Sequence, residues 1–243
     1  MELTAVISVI RHGEKNAGGD LTETGADQAQ ERGRAITHLK GDVILMHSGV
    51  GRVKDSISAA ARYLHLSADD PREVLEEEAQ LQEYVSRYLH YLYDPQSKGS
   101  FFSSWDMPDM SDADRNQRMQ DFLDLHDTSP EPDIFPSPVG MAKCAARVIL
   151  TEIDFALLTE SRYRTNFING THEPVLMSLI AYLFNGFAKA PADYIERIGG
   201  SVGYAEGIDI LVYQDDTAAE IRCSFRDSSL AIDYQALSEF VRS

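Results

Sequence analysis

The stretch that most constrains this chain is Ala5-Val6-Ile7-Ser8-Val9-Ile10, a nearly unbroken apolar run that ends on Arg11-His12-Gly13-Glu14. A short run rich in β-branched residues predicts a strand covered on both faces, as inside a parallel sheet. Such a strand delivers its last residues to the carboxyl edge of the sheet, where the chain diverges into loops and ligands bind. Arg11 and His12 fall at that edge. A guanidinium presents a planar fork of donors to phosphate or carboxylate oxygens, and a neutral imidazole can attack an electrophile or carry a proton. Gly13 removes a side chain where a ligand could approach the backbone.

The next segments repeat the arrangement. Thr22 or Thr24 caps a predicted helix running to about residue 39, and Ala26, Ala29, Gly33 and Ile36 form a small-residue stripe suited to close packing on a sheet. Residues 42–48 form a second candidate strand, which a right-handed crossover sets parallel to the first. Ser48-Gly49-Val50-Gly51-Arg52 then turns into a helix reaching about residue 64, placing Arg52 in the first turn, where a cation opposes the helix dipole and so points to a ligand. Residues 67–83 are acidic and end on Leu81-Gln82-Glu83. Residues 84–138, crowded with aromatic side chains and containing a polar helix near 112–125, read as an excursion from the core shaped like a lid. A long amphipathic helix is expected over 137–160 and a third strand over 163–169, followed by Gly170-Thr171-His172-Glu173-Pro174 and a buried helix over 175–184. His172 therefore stands as His12 does, at a strand end before a helix. A short helix near 192–198, a Gly-rich turn, a hairpin of 208–213 with 220–225 and a last helix near 234–241 complete the chain.

With 43% apolar and 25% charged residues, the 243-residue chain has material for one large α/β domain over 1–243. The net charge of −17 disfavours nucleic acid and anionic membranes as partners. It also makes the few basic residues matter by position. Cys144 and Cys223 support neither a disulfide framework nor a metal site, and no cofactor motif is present. The absence of a signal core or a long apolar run makes a cytoplasmic location the expectation. Oligomeric state is left open.

Taken together, the ordered motifs resemble a known family. Arg11-His12-Gly13-Glu14 is similar to the signature of the histidine phosphatase superfamily, the phosphoglycerate-mutase-like group. Leu21-Thr22-x-x-Gly25-x-x-Gln28-Ala29, Ser48-x-x-x-Arg52-x-x-x-Ser56, Leu81-x-Glu83 and Thr171-His172-Glu173 resemble its later segments, in the family's order. The resemblance implies a three-layer α/β/α sandwich with a mostly parallel central sheet, the 84–138 insertion lying over it. It also implies hydrolysis of a phosphomonoester, on a small metabolite or a phosphoprotein, through a phosphohistidine on His12. Arg11, Arg52 and His172 would clamp the phosphoryl oxygens, and Glu83 would serve as proton donor and then base, with Glu14, Glu76, Glu77 and Glu78 as the alternatives for that acid. Fixed cations around an in-line nucleophile are what phosphoryl transfer asks of a site, and each such donor is typically worth about 10²–10³ in rate. No metal is then required. Mutase-type phosphoryl transfer and a non-catalytic phosphate-binding adaptor are the alternatives. The short segment from Lys15 to Asp20, where mutases carry a longer loop, favours a phosphatase over a mutase.

Overall fold

The fold follows from how β1, Glu2–Arg11, distributes its apolar side chains. Ile7 and Val9 point to one face of the sheet and Val6 and Ile10 to the other, and all four are buried. A strand so covered must lie between two helical layers. The computed structural model describes residues 1–66, 81–89, 100–103, 110–159 and 164–243. In chain order, the elements are β1, α1 (Glu23–Ala35), β2 (Asp42–His47), α2 (Gly51–Leu66), β3 (Leu81–Val85), α3 (Ser100–Ser103), α4 (Asp112–Asp124) and α5 (Pro138–Leu158). They continue through β4 (Thr165–Thr171), α6 (Glu173–Leu183), α7 (Tyr194–Arg197), β5 (Gly207–Gln214), β6 (Ala219–Phe225), β7 (Ser228–Ala231) and α8 (Tyr234–Arg242).

The strands form one seven-stranded sheet in the order β3-β2-β4-β1-β5-β6-β7. Its β3-β2-β4-β1 half is parallel. The β1-β5-β6-β7 half is antiparallel. The expectation of a mostly parallel sheet thus holds for the core half only. The reason is local: β5, β6 and β7 follow one another through tight turns, and short connections force antiparallel neighbours. β2 is parallel to β1 as expected, but β4 lies between them. One face is covered by α1 and α2, through Ile36, Ile57, Ala60 and Ala61. The other is covered by α5, α6 and α8, through Ala142, Ile149, Leu176, Ile180 and Leu237.

Two expectations change in detail. Within the stripe Gly33 packs α1 against α2, where a Cβ would lie 2.3 Å from the Ala60 carbonyl oxygen, while Ile36, just past the helix end, reaches the sheet. And α1 stops at Ala35, because the side chain of Asn166 on β4 accepts from the Leu39 N–H and donates to the Leu39 carbonyl, both at 2.9 Å, drawing the chain into the sheet. The acidic run over 67–80 and parts of the 84–138 segment fall outside the described residues. Where that segment is described, Phe102, Met119, Phe122 and Phe135 belong to the same core cluster as Ile7 and Ile149.

Candidate active site

Two parallel neighbours, β1 and β4, end side by side, with Arg11 in register with Thr171. The residues that follow are His12 and His172, and their ring centroids stand 5.6 Å apart, edge to face. Both are buried, at 4% and 3% exposure. His12 donates its Nδ1–H to the Gly13 carbonyl, 2.7 Å away. A carbonyl can only accept, so the ring proton resides on Nδ1 and Nε2 carries the lone pair. Arg52, one residue into α2, points its Nε at that Nε2 from 3.3 Å, and its Nη1 donates to the Gly19 carbonyl. Burial first, then the charges of Arg11 and Arg52, hold the His12 imidazole down at about 3, far below its ordinary range, so it is neutral at physiological pH.

His172 caps the N-terminus of α6 without bonding its backbone, and its Nε2 lies 3.1 Å from the Ser48 hydroxyl at the end of β2. Ser56 accepts from the Gly13 N–H at 2.9 Å and donates to the Arg52 carbonyl at 2.7 Å, so the Ser48-Arg52-Ser56 spacing fixes α2 against the His12 loop. Gly13 is required for a reason the sequence did not reveal. A Cβ there would fall 2.1 Å from the Gly25 carbonyl oxygen, so the residue admits the neighbouring backbone rather than a ligand.

Arg11 differs from the expected open clamp. Its Nη2 is paired with Glu173 at 2.8 Å and its Nη1 donates to the Val202 carbonyl at 2.6 Å. The guanidinium lies 4.4 Å from the ring centre of Tyr204, itself 5.9 Å from His12. The Arg11 Nε, also buried, has no hydrogen-bond partner among the described residues. Glu83 sits on edge strand β3 with its side chain 39% exposed, bonded to Lys54 at 2.8 Å and to His47 Nε2 at 3.3 Å. His47 accepts the Gly49 N–H on its other nitrogen, which leaves Nε2 to donate. The bond to Lys54, then that to His47, holds the Glu83 carboxyl below the usual range. The structure links Glu83 to the two imidazoles through β2, since His47 adjoins Ser48, the contact of His172; its own bonds are to Lys54 and His47.

The arrangement therefore presents a neutral nucleophilic nitrogen, a guanidinium aimed at it, a second imidazole and a peripheral carboxylate. Glu173, Ser201, Val202 and Tyr204 complete its wall, with Ser201 donating to Glu173 at 2.6 Å. The loop over 198–206 that carries three of them showed in the sequence only as a glycine-rich turn. Among the described residues no group of three His, Cys, Asp or Glu side chains has the placement of a metal site. No helix among them is long and apolar enough to cross a membrane.

No protein-family model and no curated protein matches the chain. Solved structures do. A mycobacterial glucosyl-3-phosphoglycerate phosphatase complexed with VO3 matches with a TM-score of 0.56 at 15% identity, over 90% of this chain and 97% of that one. Phosphoserine phosphatase from Entamoeba histolytica, in complex with 3-phosphoglyceric acid, matches with a TM-score of 0.50 at 15% identity, over 94% and 95%. The phytase from D. castellii matches with a TM-score of 0.52 at 10% identity, over 99% and 79%. Likeness at such identities establishes the fold. The chain shares the α/β fold of these solved structures, and its ordered motifs resemble those of the histidine phosphatase superfamily.

Proposed function

We propose that this protein is a metal-independent phosphatase that hydrolyses a phosphomonoester through a phosphohistidine on His12. The observation that carries the reading is the state of the His12 ring: Nδ1 is spent on the Gly13 carbonyl, and Nε2 is neutral and faced by Arg52. The three structural neighbours described above, named as two phosphatases and a phytase, support the same reaction class.

In the proposed reaction, Nε2 of His12 attacks phosphorus in line with the ester oxygen, and the P–O bond breaks as the P–N bond forms. Arg52 and His172 stabilise the peripheral oxygens, joined by the charge and Nε–H of Arg11. Glu83, as the acid, gives its proton to the leaving oxygen; as the carboxylate it then takes one from water, which attacks the phosphohistidine and releases phosphate. The substrate class is a small phosphorylated molecule or a phosphoprotein. A generic aryl phosphate tests the reading. Hydrolysis that persists in EDTA in the wild type and falls to background in His12→Ala is the expected outcome; an inert wild-type protein contradicts it.

A further inference from the structure

The loop over 198–206 bonds N–H groups of Gly199, Gly200, Ser201 and Glu206 to Glu196, Ile195, Asn116 and Gly203, and it follows a path outside the regular backbone conformations. Gly199, Gly200 and Ala205 have φ of +79°, +102° and +57°. The carbonyls of Ile198, Gly200 and Ser201 instead converge on one side chain, Arg226, which stands on the turn between β6 and β7. Its Nη1 donates to Ile198 and Gly200, and its Nη2 to Ser201 at 3.0 Å and to Glu206 Oε2 at 2.9 Å. Its Nε donates to Glu206 Oε1 at 2.6 Å. Every N–H of the guanidinium is engaged. Arg226 itself has φ +51°, a conformation that turns ordinarily give to glycine or asparagine. Turn chemistry does not call for arginine at this position, so the side chain's contacts must.

The other face of this loop forms the wall of the site. The Val202 carbonyl takes Arg11 Nη1, the Tyr204 ring lies under the Arg11 guanidinium, and Ser201 holds the Glu173 carboxylate that pairs with Arg11. The backbone is joined as well: the Ala205 N–H donates to the His12 carbonyl at 3.2 Å and the Arg11 N–H donates to the Glu206 carbonyl at 2.9 Å. The loop thus has Arg226 on one side and the two signature residues on the other.

We propose that Arg226 is a positioning residue of the active site: by gathering the carbonyls of Ile198, Gly200 and Ser201 it sets Val202 and Tyr204 against Arg11 and His12. The proposal rests on the phosphoryl-transfer reading of that site. Loss of Arg226 leaves the His12 nucleophile in place but displaces the wall that orients Arg11, and misplacement on the ångström scale costs roughly 10- to 100-fold in rate.

Arg226→Gly removes the guanidinium while suiting the positive φ, so the turn persists. Arg226→Lys keeps the charge but offers a single nitrogen, which cannot span several carbonyls and a carboxylate. The first readout is the His12 Cε1–H proton signal, identified by its loss in His12→Ala and sensitive to the nearby Tyr204 ring. The second is kcat and KM for an aryl phosphate. In both variants we expect the His12 signal to move and kcat to fall on the order of 10- to 100-fold with a smaller change in KM. Millimolar guanidinium chloride should return both toward wild type in Arg226→Gly alone. The proposal is overturned if the His12 signal stays in place in Arg226→Gly, if guanidinium fails to restore it, or if kcat is unchanged in a wild type that turns over. A wild type without turnover sinks the phosphatase reading alone, and the His12 signal then decides the role of Arg226.

Discussion

The chemistry of the site is set by what each ring nitrogen and carboxylate is bonded to. His12 stays neutral down to about pH 3, because burial and two arginines oppose a third positive charge. Glu83 has the opposite problem. As a proton donor it must be protonated, yet Lys54 and His47 favour its carboxylate. The sign follows: with its carboxyl held low, the acid form is lost as pH rises, while His12 limits activity only at the acid extreme. For an alkyl phosphate, whose leaving group needs the proton, kcat/KM should therefore fall from acidic toward neutral pH. Lys54→Met removes the largest cause of the shift and should move that fall to higher pH; the ester's own ionisation is common to both proteins. A pH profile unchanged in Lys54→Met would argue against Glu83 as the donor. His12, Arg52 and His172 were legible in the sequence because each stands where a strand ends and a helix begins. Tyr204 and Ser201 were not, since a loop residue brought in from far along the chain leaves no periodicity or spacing to read. Arg11 was found, but its pairing with Glu173 depends on how α6 leaves β4, which spacing alone does not specify.

Among the elements, the pairing of α5 with β4 carries the most unusual group. Glu152 on α5 is buried with Asn169 of β4, whose Nδ2 donates to Glu152 Oε2 at 2.9 Å. Glu152 Oε1 and Asn169 Oδ1 have no hydrogen-bond partner among the described residues. A carboxylic acid, which brings a donor, suits that inventory better than a carboxylate. Burial raises the Glu152 carboxyl to about 8. A folded-state value above the unfolded one means that the native state holds the extra proton. The stabilisation is then complete below the unfolded range near 4.5 and is lost as pH rises through about 8. Over that window unfolding free energy should decline by about 1.4 kcal/mol per pH unit from this group. Glu152→Gln, which keeps an amide donor, should flatten the dependence in denaturant titrations between pH 5 and 8, and an unchanged slope would contradict the assignment. The strands and helices with strong periodicity, β1, β2, α2 and α5, were readable to within a few residues. β3 and β7 were not, being short edge strands with half-polar sequences that acquire strand structure only by pairing with β2 and β6. The end of α1 was unreadable for a similar reason: the Asn166 side chain that stops it belongs to a strand formed much later in the chain.

At the scale of the whole molecule, a net charge of −17 surrounds a site proposed here to hold a phosphoryl anion. The local cations act within a few ångströms in a buried setting and are screened little, whereas the global field reaches through solvent and is screened strongly. Added salt should therefore raise kcat/KM for a dianionic phosphate by about two- to fivefold between low ionic strength and 0.15 M, through relief of repulsion on approach. A fall of that size would show that the field near the cleft is positive instead. The sheet topology was only partly legible at this scale. The parallel half could be anticipated from the strand-helix-strand rhythm, but the position of β4 between β1 and β2, which brings His172 beside His12, is a property of the folded sheet. The measurement that bears most directly on the account is capture of the reaction's intermediate. Wild-type protein mixed with a labelled phosphomonoester and quenched in alkali should carry acid-labile phosphate, mapped by mass spectrometry to His12 and missing in His12→Ala. Turnover with no phosphate on residue 12, or label on another side chain, would contradict it.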